Sequence, residues 1–261
     1  MSNILFLFEG KVTENNYYKV IERAIGSNIK SSINFYCYKT NIYTLYDEIS
    51  NDSALNIIEL VKEKALIDND IENYEMLNTV NFGEIYLIFD LDPQDQRFDK
   101  NKIEKMIEIF NNETENGKLY INYPMIESFK HFKEIPDKNY IDYKVKILDC
   151  KNYKKDVAKI SCINDYRKIS KEQYINILNQ NLEKINYLIN RLNKCDFDTY
   201  LNTLGQSQIF FLQENEIDEN GQLYIINSFC LWPLDYLGEK FFDDVIINGK
   251  KAWNVYRIVL I

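Results

Sequence analysis

Three apolar runs punctuate the first ninety residues: Ile4-Leu5-Phe6-Leu7-Phe8, Ile33-Asn34-Phe35-Tyr36-Cys37-Tyr38 and Ile85-Tyr86-Leu87-Ile88-Phe89. Each has the length of a strand, and the first and third are unbroken by polar residues, the pattern of strands buried on both faces. Between the first two, Thr13 reads as a helix N-cap, and Tyr17, Tyr18, Ile21 and Ile25 recur at helical spacing before Gly26-Ser27-Asn28 ends the segment. Residues 42–64 read as one or two helices broken near Asn51-Asp52-Ser53. After the third strand, Asn101–Asn111 is amphipathic through Ile103, Met106, Ile107 and Phe110, and Asn112–Gly117 is a polar loop. Next come a short apolar piece, Leu119-Tyr120-Ile121, a helix from Pro124 to Phe132 with proline in its first turn, and a fourth strand from Tyr143 to Leu148.

Strands separated by helices predict an α/β fold over residues 1–150, with a mostly parallel sheet flanked by helices. Residues 151–261 read as a mainly helical or mixed extension suited to binding a substrate or partner. In it, Lys171–Leu192 carries an apolar stripe (Tyr174, Ile177, Leu178, Leu182, Ile185, Leu188), and Phe197–Leu212 continues as one or two helices. Short strand-like runs follow at Leu223–Ile226 and Val255–Leu260, with Trp232, Phe241, Phe242 and Trp253 as expected core aromatics.

The strand ends carry the candidate chemistry. The first runs into Glu9-Gly10, and the third into Asp90-Leu91-Asp92. Sites in parallel sheets form at the carboxyl ends of strands, which would bring these distant positions to one rim. Residues two apart on a strand share a side, so Asp90 and Asp92 could reach one cation, and hard oxygen donors favour Mg²⁺ or Mn²⁺ over zinc.

Composition narrows the setting. The chain is 46% hydrophobic, and no uncharged apolar run approaches the roughly 18 residues of a membrane span. The opening apolar run lacks a basic leader and reads as a core strand, which predicts a cytoplasmic protein. Five scattered cysteines without a Cys-x-x-Cys pair indicate neither a disulfide framework nor a zinc finger. The net charge of −9 is unfavourable for a nucleic-acid binder, yet it is unevenly spread. From Lys151 to Lys171 seven basic residues face only Asp156 and Asp165, so the remainder carries −14. That stretch is either a solvated helix face or a grip on a polyanion, with Lys154 and Lys155 as candidate contacts.

The order strand-Glu9-Gly10-x-x-Thr13-Glu14-x-x-Tyr17-Tyr18, then strand-Asp90-x-Asp92, resembles the Toprim domain of topoisomerases, primases and several nucleases. With Asn122-Tyr123-Pro124-Met125-Ile126-Glu127, the likeness is to the nuclease branch, the overcoming-lysogenization-defect and RloB-like proteins of bacterial phage defence. It covers roughly residues 3–150; Pro93-Gln94 after the second Asp departs from the small residue or glycine common in topoisomerases and primases. The resemblance implies a Mg²⁺- or Mn²⁺-dependent endonuclease acting on DNA or RNA, structured RNA included, as a toxic effector in antiphage defence. It implies Glu9, Asp90, Asp92 and Glu127 as catalytic and metal-binding residues, with Glu14 as a further ligand. Lys11 and His131 join Lys154 and Lys155 as substrate-contact candidates, His131 because it follows Glu127 by four residues. A partner ATPase is expected as a separate protein, since the chain has no Gly-x-x-x-x-Gly-Lys-Ser/Thr loop, and a homo-oligomer is left open. Two other readings stand beside it. One is a haloacid-dehalogenase-like phosphatase with Asp90 as nucleophile, against which Gln94 counts; the other is a non-enzymatic Toprim-like module that binds nucleic acid or an ATPase.

Overall fold

The computed structural model describes residues 2–10, 12–50, 56–191 and 195–245. Lys11, the Asn51-Asp52-Ser53 break, Leu192, Trp253 and the run Val255–Leu260 lie outside them. The three apolar runs are strands: β1 (Asn3–Phe8), β2 (Ser32–Cys37) and β3 (Glu84–Asp90). The helices between them are α1 (Val12–Ile25), α2 (Ile42–Ser50), α3 (Ile57–Ile67) and α4 (Ile71–Thr79). Then follow α5 (Lys100–Ile109), the short β4 (Asn111–Asn112) and β5 (Gly117–Tyr123).

The sheet order is β2-β1-β3-β5-β4, with β2, β1, β3 and β5 all parallel and β4 antiparallel at the edge. The fold is therefore α/β, with a mostly parallel sheet flanked by helices. Because the chain leaves β1 in one direction to make β2 and returns to the other side of β1 to make β3, the connections reverse there. The carboxyl ends of β1 and β3 thus form a topological switch point, the place where such sheets leave a crevice.

Alternation along the strands divides the core into two layers. Phe6 and Phe8 turn toward α1, where Phe6 meets Tyr18, Tyr86 and Trp232 at ring-centroid distances of 5.6, 5.5 and 4.9 Å. On the opposite layer Tyr38 packs on Phe89 and Tyr43 on Phe98.

Two expectations are corrected. The predicted helix from Pro124 to Phe132 is a five-residue 3₁₀ turn, Ile126–Lys130. The Asn227 amide donates to Ile126 O and Ser128 Oγ there, so tertiary contacts from a distant segment override local helical preference. The predicted strand Tyr143–Leu148 shrinks to β6 (Lys144–Lys146), which pairs outside the main sheet with β7 (Gln222–Tyr224).

After β6 come α6 (Tyr153–Ile160), α7 (Lys171–Asn190), α8 (Phe197–Thr203) and α9 (Gln206–Asn220). The helix α7 starts at a full capping box, Ser170 with Gln173. Packing runs across residue 150. The strand β8 (Ile226–Asn227) adds antiparallel to the end of β5, and α10 (Trp232–Leu237) delivers Trp232 to Phe6. Asp235 pins this return, accepting from the Tyr120 and Tyr200 hydroxyls and pairing with Lys118 at 2.8 Å. None of the five cysteines is in a disulfide, and among the described residues no helix is long and apolar enough to cross a membrane.

Gly117 opens β5 at φ 109°, and a Cβ there would lie 2.6 Å from Leu87 Cδ1 on the neighbouring strand. Backbone strain and overpacking act together in Gly117→Ala, which is expected to destabilise the fold by roughly 2–4 kcal/mol in chemical denaturation. A loss below about 1 kcal/mol would mean that Leu87 moves aside freely.

Candidate acidic site at the carboxyl edge of the sheet

Around Asp90 at the switch point lie four acids whose charges act on it, Glu9, Asp92, Glu127 and Glu14, and each of the five is delivered by a different local device. Glu9 follows β1 directly. Its backbone N–H donates to Ile88 O at 3.2 Å, and its carboxylate Oε2 accepts from the Asp90 N–H at 3.1 Å. The side chain thus takes the place of the next rung of the parallel ladder. Glu14, on the first turn of α1, reaches back to accept from the Gly10 N–H at 3.0 Å. Gly10 allows this approach, because a Cβ would sit 2.9 Å from both Glu14 carboxylate oxygens.

Asp90 is the last residue of β3, in register with Asn122 on β5. The buried Asn122 amide donates to Asp90 Oδ1 at 3.4 Å, while its own oxygen accepts from the Phe229 N–H at 3.4 Å. Asp92 does not reach the site by strand alternation. The strand has ended, and Asp92 has φ 44°, the left-handed region that Asp and Asn tolerate better than most side chains. Its N–H donates to Pro124 O at 3.1 Å, and Gln94 donates to its carboxylate at 2.9 Å. Glu127, on the 3₁₀ turn, keeps only 4% of its side chain exposed and pairs with Lys154 Nζ at 2.8 Å.

Electrostatics bind these groups together. Burial, reinforced first by the Asp92 charge and also by Glu14 and Asp95, pushes the Glu9 carboxyl up to about 8. Burial, then the charges of Glu9, Asp92, Glu127 and Glu14, drives Asp90 well above the usual carboxylate range. Asp92 and Glu14 are also raised, chiefly by burial. Carboxylates raised in this way have less compensating charge than burial demands. Next to them, Asp95 is held down to about 2 by its pairing with Arg97.

The donors are all oxygen, the set that a hard divalent cation takes. As placed, however, each carboxylate has a protein partner: Asp90 N–H, Gly10 N–H, Asn122, Gln94 or Lys154. Among the described residues no group of three or more His, Cys, Asp or Glu is disposed to hold a metal ion. The chemistry of the set suits such an ion, then, while closing on one requires exchange of those partners.

Lys154 stands on the first turn of α6, and Lys155 is exposed beside it. His131 lies elsewhere. The turn carrying Glu127 ends before it, so the two do not share a helix face, and His131 Nδ1 lies 2.9 Å from the Tyr153 hydroxyl. Burial, with Lys184 nearby, pushes its imidazole down to about 4, so it is neutral at pH 7. Asn122 and Gln94 are the site residues that pattern reading passed over. Asn122 was visible as the polar residue closing an apolar run, and only the register β3↔β5 gives it Asp90 as a neighbour. Comparison of the chain with family models, with curated proteins and with solved structures finds no match.

Proposed function

We propose that the protein is a Mg²⁺- or Mn²⁺-dependent endonuclease that hydrolyses phosphodiester bonds of DNA or RNA, a toxic effector of the Toprim nuclease type that works with a separate ATPase. The observation that carries this reading is the contact of Glu9 Oε2 with the Asp90 N–H at 3.1 Å, which brings two strand-end residues eighty-one positions apart to one edge of the sheet. Two further features support it. Glu14, Asp92 and Glu127 share the electrostatic field of Asp90, and Lys154 of α6 pairs with Glu127.

A divalent cation bound there supplies Lewis acidity and neutralises charge on a phosphodiester. Asp90, Asp92 and Glu127 would hold it, with Glu14 beside them and Glu9 Oε1 left for the proton. Asn122 orients Asp90, and Gln94 orients Asp92. With Glu9 Oε2 committed to a backbone N–H, Oε1 is the atom that can take a proton from an attacking water and release it afterwards. Lys154 and Lys155 offer positive charge to the backbone of the substrate.

The experiment is direct. The purified chain and its Asp92→Ala variant are incubated with plasmid DNA and with total RNA, in Mg²⁺, Mn²⁺ or EDTA. Cleavage of one pool that needs the cation and is lost in the variant is the expected result. Persistent cutting in EDTA would remove the metal from the reading, and folded protein that cuts neither pool under any condition would remove the nuclease.

A further inference from the structure

Glu127 and Lys154 make an ion pair of unequal members. The carboxylate keeps 4% of its side chain exposed, whereas the lysine keeps 69%, so an ammonium on a solvent-borne stem reaches a buried carboxylate. The lysine is not held by Glu127 alone, for Glu14 and Asp90 also act on it. One positive charge therefore pairs with the carboxylate of the 3₁₀ turn and is acted on by two more acids, from α1 and the end of β3. A cation bound to the same acids would need that position. The stem of Lys154 is flexible, and α6 presents it at the surface, so the ammonium can leave by rotation without moving the backbone.

We propose that Lys154 is a tethered counter-ion: it occupies the acid cluster in the cation-free protein and is displaced from Glu127 when a divalent cation enters. This deepens the metal-site reading given above and rests on it. In the cation-free state the lysine compensates a buried carboxylate that would otherwise be stranded. In the loaded state Glu127 turns to the cation, and the freed ammonium remains at the rim, where an anionic group of the substrate could meet it. Cation and lysine then compete for one carboxylate, so the lysine weakens cation binding while stabilising the empty site.

The test compares Mn²⁺ binding by calorimetry in the wild type, in Lys154→Met and in Lys159→Met. Lys159 lies on the same helix, is 72% exposed and pairs with Asp156, so it controls for loss of one charge. Lys154→Met is expected to bind Mn²⁺ at least about tenfold more tightly than the wild type, and Lys159→Met within about twofold. Without cation Lys154→Met should melt lower than the wild type, and saturating Mn²⁺ should close the gap. A second measurement needs no variant. Amine labelling of wild-type Lys154, followed by mass spectrometry, should accelerate several-fold on adding Mn²⁺, with Lys159 unchanged. Equal or weaker Mn²⁺ binding by folded Lys154→Met, or labelling of Lys154 indifferent to Mn²⁺ in a wild type that binds the ion, overturns the proposal alone. A wild type that binds no Mn²⁺ overturns it together with the metal-site reading.

Discussion

Exchanging Asp90 for Asn is expected to lower phosphodiester cleavage by at least about 10³-fold, about 4 kcal/mol of barrier, while raising the melting temperature of the cation-free protein. The two effects share one cause. Asp90 stands at the end of β3 with its carboxyl driven far above its ordinary range by burial and by four acidic neighbours. Folding at neutral pH must therefore either force a charge into that field or take up a proton. Asn is nearly isosteric with the protonated acid, and its oxygen can still accept from the Asn122 amide, so it keeps the local packing without either cost. A stability gain on the order of 1–3 kcal/mol at pH 8 follows, measured by chemical denaturation beside initial cleavage rates. An equal loss of stability and activity would instead mark Asp90 as a structural anchor, and unchanged cleavage would take it out of the chemistry.

The second large effect is a dependence of stability on pH that runs opposite to ordinary acid denaturation. Glu9 is raised from 4.5 to about 8, so below pH 4.5 it carries a proton in both folded and unfolded chains. Between those values the folded chain holds a proton that the unfolded chain has released, and stability falls as pH rises through the window. At 1.36 kcal/mol per unit the upper bound for Glu9 is about 5 kcal/mol, shared with neighbours that shift in the same direction. The cation-free wild type should thus be several kcal/mol less stable at pH 8 than at pH 5, and Glu9→Gln should remove part of that slope. Asp95 acts in a separate window: held down to about 2 by Arg97, it supports the fold above its ordinary value and ceases to do so in strong acid. Mn²⁺ at saturation is expected to reverse the slope, because a cation stabilises the ionised acids. A flat profile between pH 5 and 8 without cation would show that Glu9 titrates normally.

Much of the sheet was legible because β1 and β3 are buried on both faces and consist of unbroken apolar runs, which leave the change to Glu9 and Asp90 as sharp boundaries. The meeting of these two acids was legible for a topological reason, since parallel strands put their carboxyl ends on one edge. The placement of Asp92 was anticipated on the wrong physical ground. Strand alternation stops at Asp90, and a left-handed residue fastened to Pro124 O brings the second carboxylate in. β5 was read only as Leu119-Tyr120-Ile121 because Lys118 and Asn122 interrupt the run, yet neighbouring strands supply the register that carries it from Gly117 to Tyr123. Pro124 suggested a helix start, but the length of that turn is decided by Asn227, about a hundred residues away. The helix face shared by His131 and Glu127 fails for the same reason, because it required a helix that does not form.

The fastening of the Glu127 turn by Asn227 has a temporal consequence. A growing chain can assemble β1, β2, β3 and β5 on the ribosome, but the amide that secures Ile126 and Ser128 has not yet been synthesised. The Glu127 turn therefore lacks this fastening until residue 227 has emerged.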